Sequence, residues 1–509
     1  MIMTHPGLPE GWGYAVWAVM LLLGLWALAT RVPRELSRKT LNLEAFWLTR
    51  PLLRLLLHSP WPLRLLRLVV VALFLLVIVA GLYGSPIAER NIATVLTWNI
   101  WWAGLIVSVF FLGSAWCAVC PWDALASWMV RPRLWLGRLH VRIDNSLELK
   151  VPRYLRNVWP ALLMFVGLTW LELGVGVTTS PYATALLSLL MVVLATLGMA
   201  LFRNKAFCRF VCPVGRTVGF YAQLAPVELR PIDAEICAAC TTLECYNGSD
   251  RVDPCPTQLV MGRLTQNTYC TSCGNCVRSC PRQNVGWRLR PPSHEAVIDA
   301  RPHWDEAWFM LGLLALTGFH GLTMMPFWEE WMSAFAQRIG DSGQLLLSFS
   351  AGLVISMLLP ALLYALTIFV LQRFSGREVG FRTLFTGLAF ITLPLAFAYH
   401  IAHNLNHLVR EGAGLGGVFM NPLGLGLEPL SMAEKHQRHF HMLISQDALF
   451  AIQGLLMMFG FWLAIKVLRH RGQAILPQAG WRLWPMLLFI IMVNGFHLWL
   501  LMQPMVMRM

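Results

Sequence analysis

The chain has 509 residues, of which 57% are hydrophobic and only 13% charged, with a formal net charge of +14. That balance is too apolar for an ordinary soluble protein and points to a multi-span membrane protein. The basic residues come with no readout motif, so nucleic-acid binding has no support.

A hydrocarbon core of roughly 30 Å needs about 20 mostly apolar residues per helix. Ten such windows occur, near 12–30, 68–84, 93–112, 158–176, 183–202, 307–326, 344–371, 383–407, 442–465 and 483–503. Their apolar runs are continuous, which predicts helices and not the alternating strands of a barrel. The first window reads as a helix and not as a secretory leader, because Met1 to Gly13 carries no Lys or Arg and no small-residue cleavage site precedes Arg31.

With the amino terminus outside, the inner loops hold 34 of the 40 Lys and Arg residues. Positive charge is retained on the cytoplasmic side, so the expectation is a multi-pass protein of a bacterial inner membrane with both termini periplasmic. The predicted fold is all-α, about ten transmembrane helices with a small cytoplasmic insert. Residues 1–202 form a five-helix block with a Cys-Pro pair, 203–306 the insert, and 307–509 a five-helix, histidine-rich block. Pro226, Pro231, Pro254, Pro256, Pro291 and Pro292 mark the insert as loop-rich.

All twelve cysteines lie between Cys117 and Cys280, on the side predicted to be reducing, which argues against disulfides. Two segments echo each other at helix ends: SAWCAVCP at 114–121, with Cys117 and Cys120, and FCRFVCPVG at 207–215, with Cys208 and Cys212. Within the insert, Cys270, Cys273, Cys276 and Cys280 followed by Pro281 form the C-x2-C-x2-C-x3-C-P run of bacterial two-cluster ferredoxins. Three closely spaced thiolates cap one cubane, and the fourth reaches a neighbouring one. The partner motif is Cys237, Cys240, Cys245 and Cys255 before Pro256. Crossing over predicts one [4Fe-4S] cluster on Cys237, Cys240, Cys245 and Cys280, and a second on Cys255, Cys270, Cys273 and Cys276. The wider spacing around Cys245 leaves a [3Fe-4S] centre open, and paired structural zinc sites are the alternative for C-x2-C pairs. For Cys117, Cys120, Cys208 and Cys212 the readings are a third iron-sulfur centre, redox-active dithiols, or buried structural thiols.

Two Cys-Pro pairs with a double-cluster insert resemble the membrane polyferredoxins of the NapH, NosR and CcoG type, over about Ala93 to Trp287. The resemblance implies electron exchange between the quinone pool and a periplasmic reductase (NapH type), copper reduction for oxidase assembly (CcoG type), or support of nitrous-oxide reduction (NosR type). The chain departs from it at Cys117 and Cys120, which two residues separate where three separate Cys208 and Cys212. The helices from Asp305 onward are also outside the short NapH pattern.

Nine of the fourteen histidines follow Trp304: His320, His400, His403, His407, His436, His439, His441, His470 and His497. In YHIAHNLNH, at 399–407, spacings of three and four put three imidazoles on one helical face. His320, His441 and His497 come from other helices at similar predicted depth. Ionisable groups in the membrane are functional candidates, and imidazoles on facing helices suit a bis-His haem b. Quinone binding and a copper site are the rivals, copper drawing on Met324, Met325, Met420, Met442, Met502, Met505 and Met507. Asp447 reads as a carboxylate at membrane depth.

The expected function is electron transfer between the cytoplasmic clusters and a quinone or haem site near the outer face, as an oxidoreductase component. The expected partners are lipid, the quinone pool, a periplasmic redox protein and a cytoplasmic donor or acceptor. A copper reductase or maturation factor and a redox-sensing regulatory protein are the alternatives.

Overall fold

A computed structural model describes residues 4–30, 40–136, 139–341, 345–376, 378–435, 442–476 and 480–506. His436, His439, His441 and Met507 lie outside the described residues.

Each of the ten apolar windows is a helix. They are α1 (Glu10–Ala29), α2 (Trp61–Tyr83), α3 (Ile92–Leu112), α4 (Trp159–Leu173), α5 (Pro181–Leu201), α6 (Trp304–Leu322), α7 (Leu346–Phe374), α8 (Phe381–Glu411), α9 (Gln446–Ile475) and α10 (Gly480–Met502). Eight of them are long and apolar enough to cross a bilayer on their own. α4 is shorter, at 15 residues, and α6 meets that test together with Pro326–Ile339, from which it is bent by 95°. The bend falls where Pro326 begins the second helix, since proline cannot continue the hydrogen-bond ladder of the first.

Local signals set the helix starts. Ser180 accepts a hydrogen bond from the backbone N–H of Ala183 with Pro181 at the first position of α5, and Ser445 does the same for Ala448 in α9. Asp447 is corrected by this cap: it sits exposed in the first turn of α9, where a carboxylate favours the positive end of the helix dipole, and not at membrane depth.

α8 is enclosed by the other helices along its apolar length. Its backbone touches α9 at Gly460, where a Cβ would collide with the Cβ of Ala398. Close backbone approach through small residues is how helices associate where water supplies no hydrophobic drive. α8 therefore places His400, His403 and His407 inside the bundle, with all three buried.

The polar segment is built on a three-stranded sheet. Strand Val227–Pro231 pairs antiparallel with Val285–Leu289, whose other edge takes Leu41–Asn42. Eight cysteines lie on the long excursion between the two neighbouring strands, which closes at Asn284. There the side chain donates to the carbonyl of Asp233 and accepts from its N–H.

A buried ion-pair network holds this sheet to the bundle. Glu228 pairs with Arg288 (2.6 Å) and Arg290 (3.0 Å), and Glu295 with Arg230 (2.8 Å) and Arg290 (2.5 Å). Arg290 also donates to the carbonyls of Ala222 and Ala225, and Lys466 of α9 reaches the carbonyl of Pro292. The helix Pro213–Tyr221, which the sequence division puts in the insert, is wholly buried among the membrane helices.

Candidate functional site

The Cys-Pro steps start helices by the same local chemistry. Cys120 precedes Pro121 at the head of Pro121–Val130, and Cys212 precedes Pro213 at the head of Pro213–Tyr221. Proline at the first helical position is pre-organised for the helix and lacks only an N–H that would have no partner. The Cys212 sulfur accepts a hydrogen bond from the N–H of Gly215 at 3.3 Å.

These two helix heads meet. Cys117 lies within electrostatic reach of Cys120, Cys208 and Cys212, and Cys120 within reach of Cys212. Burial pushes the Cys120 and Cys212 thiols up to about 12, with the neighbouring sulfurs adding to the shift, and it raises Cys117 and Cys208 as well. Four sulfurs enclosed this way cannot all ionise unless positive charge joins them, and iron supplies such charge when bound.

Charged side chains surround the group. Asp123, itself buried, takes Lys205 at 2.5 Å and Arg67 at 3.8 Å, and its other oxygen lies 4.0 Å from the Cys208 sulfur. Arg216 is fully buried, donates to the carbonyls of Cys208 (3.1 Å) and Thr268 (2.9 Å), and stacks over the Tyr269 ring. It bridges this group to the segment that begins the ferredoxin-type run.

In the excursion the cysteines sort into two groups. Cys237 neighbours Cys240 and Cys280, and Cys245 neighbours Cys237, Cys240 and Cys280. Cys270 and Cys276 both neighbour Cys273 and Cys255. Backbone and amide N–H groups point at sulfur throughout: Leu259 N to Cys255 (3.3 Å), Ser272 N to Cys270, Asn284 N to Cys280 and Asn284 Nδ2 to Cys237 (each 3.4 Å). Such donors set cluster potentials and orient thiolates. Burial raises the Cys270 thiol to about 12 and also raises Cys276, Cys245 and Cys237, whereas Cys240 is lowered by the backbone N–H of Leu243 and the Thr242 hydroxyl.

Among the described residues no three His, Cys, Asp or Glu side chains close around a point at single-ion distance. A cubane holds its four thiolates further apart than one ion does, and the neighbour relations above suit that wider span.

The histidines divide at the opposite end of the bundle. His403 packs between His320 (5.6 Å between ring centroids) and His407 (5.4 Å). His400 turns away toward Trp102 (5.7 Å) and bonds the Tyr221 hydroxyl through Nδ1 (3.1 Å). His497 stacks on Tyr399 at 4.3 Å. His441 lies outside the described residues.

A cavity of about 380 Å³ opens at this end, with His320, His407, Arg410, Glu172, Asn404 and Trp102 in its wall. His407 Nδ1 meets Glu411 at 3.0 Å, and His320 Nε2 lies 3.6 Å from Glu172. Arg410 is buried, donates through Nε to Asn406 (2.7 Å), and leaves both terminal nitrogens without a protein partner.

Sequence reasoning missed a row of tryptophans between the two ends. Trp101 lies 5.6 Å from Trp116, 5.9 Å from Trp122 and 6.0 Å from Trp102, centroid to centroid. Trp116 adjoins Cys117, Trp122 follows the Cys120-Pro121 step, and Trp102 lines the cavity. A π-helical stretch over Val95–Trp101 sets the phase of the two central indoles. The only trace in sequence is the density of tryptophan around 98–122.

Fold and cysteine groups together define a helical membrane protein with cysteine sets of the iron-sulfur type. The family model of a 4Fe-4S binding domain matches residues 94–141 and 184–225, which contain Cys117, Cys120, Cys208 and Cys212 and none of the eight insert cysteines. "Putative electron transport protein YccM" of Escherichia coli K12 is 30% identical over 138 residues, 26% of this chain and 36% of that protein. The match thus spans about a third of that relative's length. "Uncharacterized protein MJ0749" of Methanocaldococcus jannaschii is 27% identical over 219 residues, 42% of this chain and 79% of that protein. No solved structure matches the chain.

Proposed function

We propose that the chain carries electrons across a bacterial inner membrane, between iron-sulfur centres at the cytoplasmic face and a quinone in the histidine-lined cavity near the periplasmic face. Cys237, Cys240, Cys245 and Cys280 hold one [4Fe-4S] cluster, and Cys255, Cys270, Cys273 and Cys276 a second. Cys117, Cys120, Cys208 and Cys212 hold a third, a reading supported by the family match to their two segments. When bound, such clusters supply one-electron storage. Residues 203–306 act as the ferredoxin-type unit between the two membrane blocks.

The observation that carries the reading is the tryptophan row, whose steps of about 6 Å run from the Cys-Pro pair to the cavity wall. At the cavity, the His407–Glu411 and His320–Glu172 pairs can take or give protons to a quinone oxygen. Arg410 offers its two free terminal nitrogens to the same oxygen or its anion. The name of the Escherichia coli relative agrees with the electron-transfer reading. Purified protein should hold iron and acid-labile sulfide and lose a broad visible absorbance on addition of a quinol analogue. Protein with iron and sulfide whose absorbance ignores quinol would remove the quinone from the reading, and protein with neither would end it.

A haem b or copper occupant is the second reading. Copper draws on Met324 beside His320 in the cavity wall, since thioether and imidazole suit cuprous ion. Counting haem and copper on the same purified sample separates these occupants.

A further inference from the structure

A second concavity lies at the cysteine end of the bundle, and it holds cations without carboxylates. Lys150, Arg153, Arg156, Arg203, Lys205 and Arg209 line a cavity of about 680 Å³ together with Phe210, Pro256 and Thr257, and no Asp or Glu is in its wall. Lys205 is committed to Asp123. Among the described residues, Lys150, Arg153, Arg156 and Arg203 make no ion pair. The last two spend their Nε on the carbonyls of Val151 and Glu148 and leave the rest of the guanidinium free to the cavity. Gathering this much like charge in one concavity is unfavourable without an anion in it.

The surroundings identify the kind of anion. The cavity lies between the start of α4 and the end of α5, whose flanks expose Leu163, Leu197 and Leu201, and Tyr154 and Trp159 stand exposed at the same level. Aromatic residues mark the membrane-water boundary, and basic pockets beside spanning helices on the cytoplasmic side take anionic headgroups. Apolar side chains leading out of a cationic concavity match a molecule with phosphate at one end and acyl chains at the other.

We infer that this cavity binds the phosphate of an anionic phospholipid of the inner leaflet. The inference rests on the orientation proposed above, though not on electron transfer. Its position also touches the redox groups. Arg209 donates to the carbonyl of Thr257 (2.6 Å), whose hydroxyl lies 3.8 Å from the Cys255 sulfur, and Lys205 links through Asp123 to Cys208. A phosphate here places negative charge beside two cysteine groups, which favours their oxidised forms.

The full chain, purified in neutral detergent, is titrated with short-chain phosphatidylglycerol, phosphatidylcholine or inorganic pyrophosphate, and bound adducts are read by native mass spectrometry. Phosphatidylglycerol should be retained over phosphatidylcholine, and Arg153→Gln/Arg156→Gln should weaken it roughly thirtyfold, from two cations lost. Arg338→Gln, on the helix after α6, should change nothing. Equal retention of the two lipids, or undiminished retention by the double variant, overturns the inference. Pyrophosphate bound in an Arg153- and Arg156-dependent way with no lipid retained keeps a phosphate site but overturns lipid as its occupant. Because the readout is mass, a failure of the electron-transfer reading leaves it interpretable.

Discussion

The indole of Trp102 and the imidazole of His400 lie 5.7 Å apart, centroid to centroid, on helices that cross inside the bundle. The contact ties the tryptophan row of α3 to the enclosed helix α8, and through His400 to the Tyr221 hydroxyl at the end of the second Cys-Pro helix. Both Cys-Pro segments thus converge on the same buried aromatic group from two directions.

That convergence makes Trp101 the test of the row, because among the described residues it alone touches Trp116, Trp122 and Trp102. Trp101→Leu should slow the reduction of the membrane-face centre by quinol while leaving its reduction by dithionite, which attacks from solution, unchanged. The volume lost in a packed interior should cost about 3 kcal/mol of stability. Trp101→Phe, which keeps a ring in place, should recover most of the stability and part of the rate. Stopped-flow traces with the two reductants decide the matter. Equal slowing with both would mean that the indole only supports the fold.

Much of this could be read from residue order, and the boundary of what could is physical. The ten helices follow from continuous apolar runs, a property of each segment by itself. The eight insert cysteines are drawn together because the long excursion that carries them is pinned at both ends by neighbouring strands. The histidines fare differently: a spacing of three and four puts His400, His403 and His407 on one side of α8, but which neighbour each ring meets depends on the helices packed there. His400 meets α3, and His403 meets α6. The tryptophan row, the open nitrogens of Arg410 and the basic cavity depend wholly on such packing. No periodicity within one segment announces them.

Asp123 is the electrostatic hinge of the membrane-face cysteines. Burial works against the Lys205 charge, yet Asp123 holds the ammonium above its ordinary range. Asp123→Asn would leave that ammonium and the Arg67 guanidinium without their counter-charge in a partly buried site, at a cost of about 3 kcal/mol. Replacing the pair together, as Asp123→Asn with Lys205→Met, should restore part of it, because a neutral pair has no stranded charge. Thermal unfolding in detergent of the four proteins of this cycle measures the coupling. A double variant no more stable than Asp123→Asn would show that Lys205 contributes nothing through the pair.

The sheet that carries the insert should open with acid. Burial alone would raise the Glu295 carboxyl, but Arg290 and Arg230 more than offset it and hold it below the ordinary carboxylate range. A depressed carboxylate contributes stability that is present above its unfolded value, about pH 4.3. That contribution is lost as pH falls through the lower, folded value. Hydrogen exchange in 227–231 and 285–289 should therefore quicken below about pH 4. Glu295→Gln should show faster exchange already at neutral pH, by an opening free energy about 3 kcal/mol smaller, and a flatter response to acid. Identical acid profiles for variant and parent would remove Glu295 as the group that titrates.

The three cysteine groups should lose iron independently, because each set of neighbours is closed on itself apart from Cys245, which adjoins Cys276. Cys240→Ser removes a half-buried member of the first insert group, Cys273→Ser a member of the second, and Cys120→Ser the residue that starts a membrane-face helix. Each should lower the iron content by about four atoms per chain, the content of one cubane, and remove a different component of the reduced electron paramagnetic resonance spectrum. Cys120→Ser keeps the size and polarity of the helix-starting residue, so the helix Pro121–Val130 should persist. Loss of iron from the insert centres in Cys120→Ser, with that helix intact, would contradict a separate membrane-face centre. Full iron retention in Cys120→Ser and in Cys212→Ser would instead mark those four cysteines as thiols without a metal.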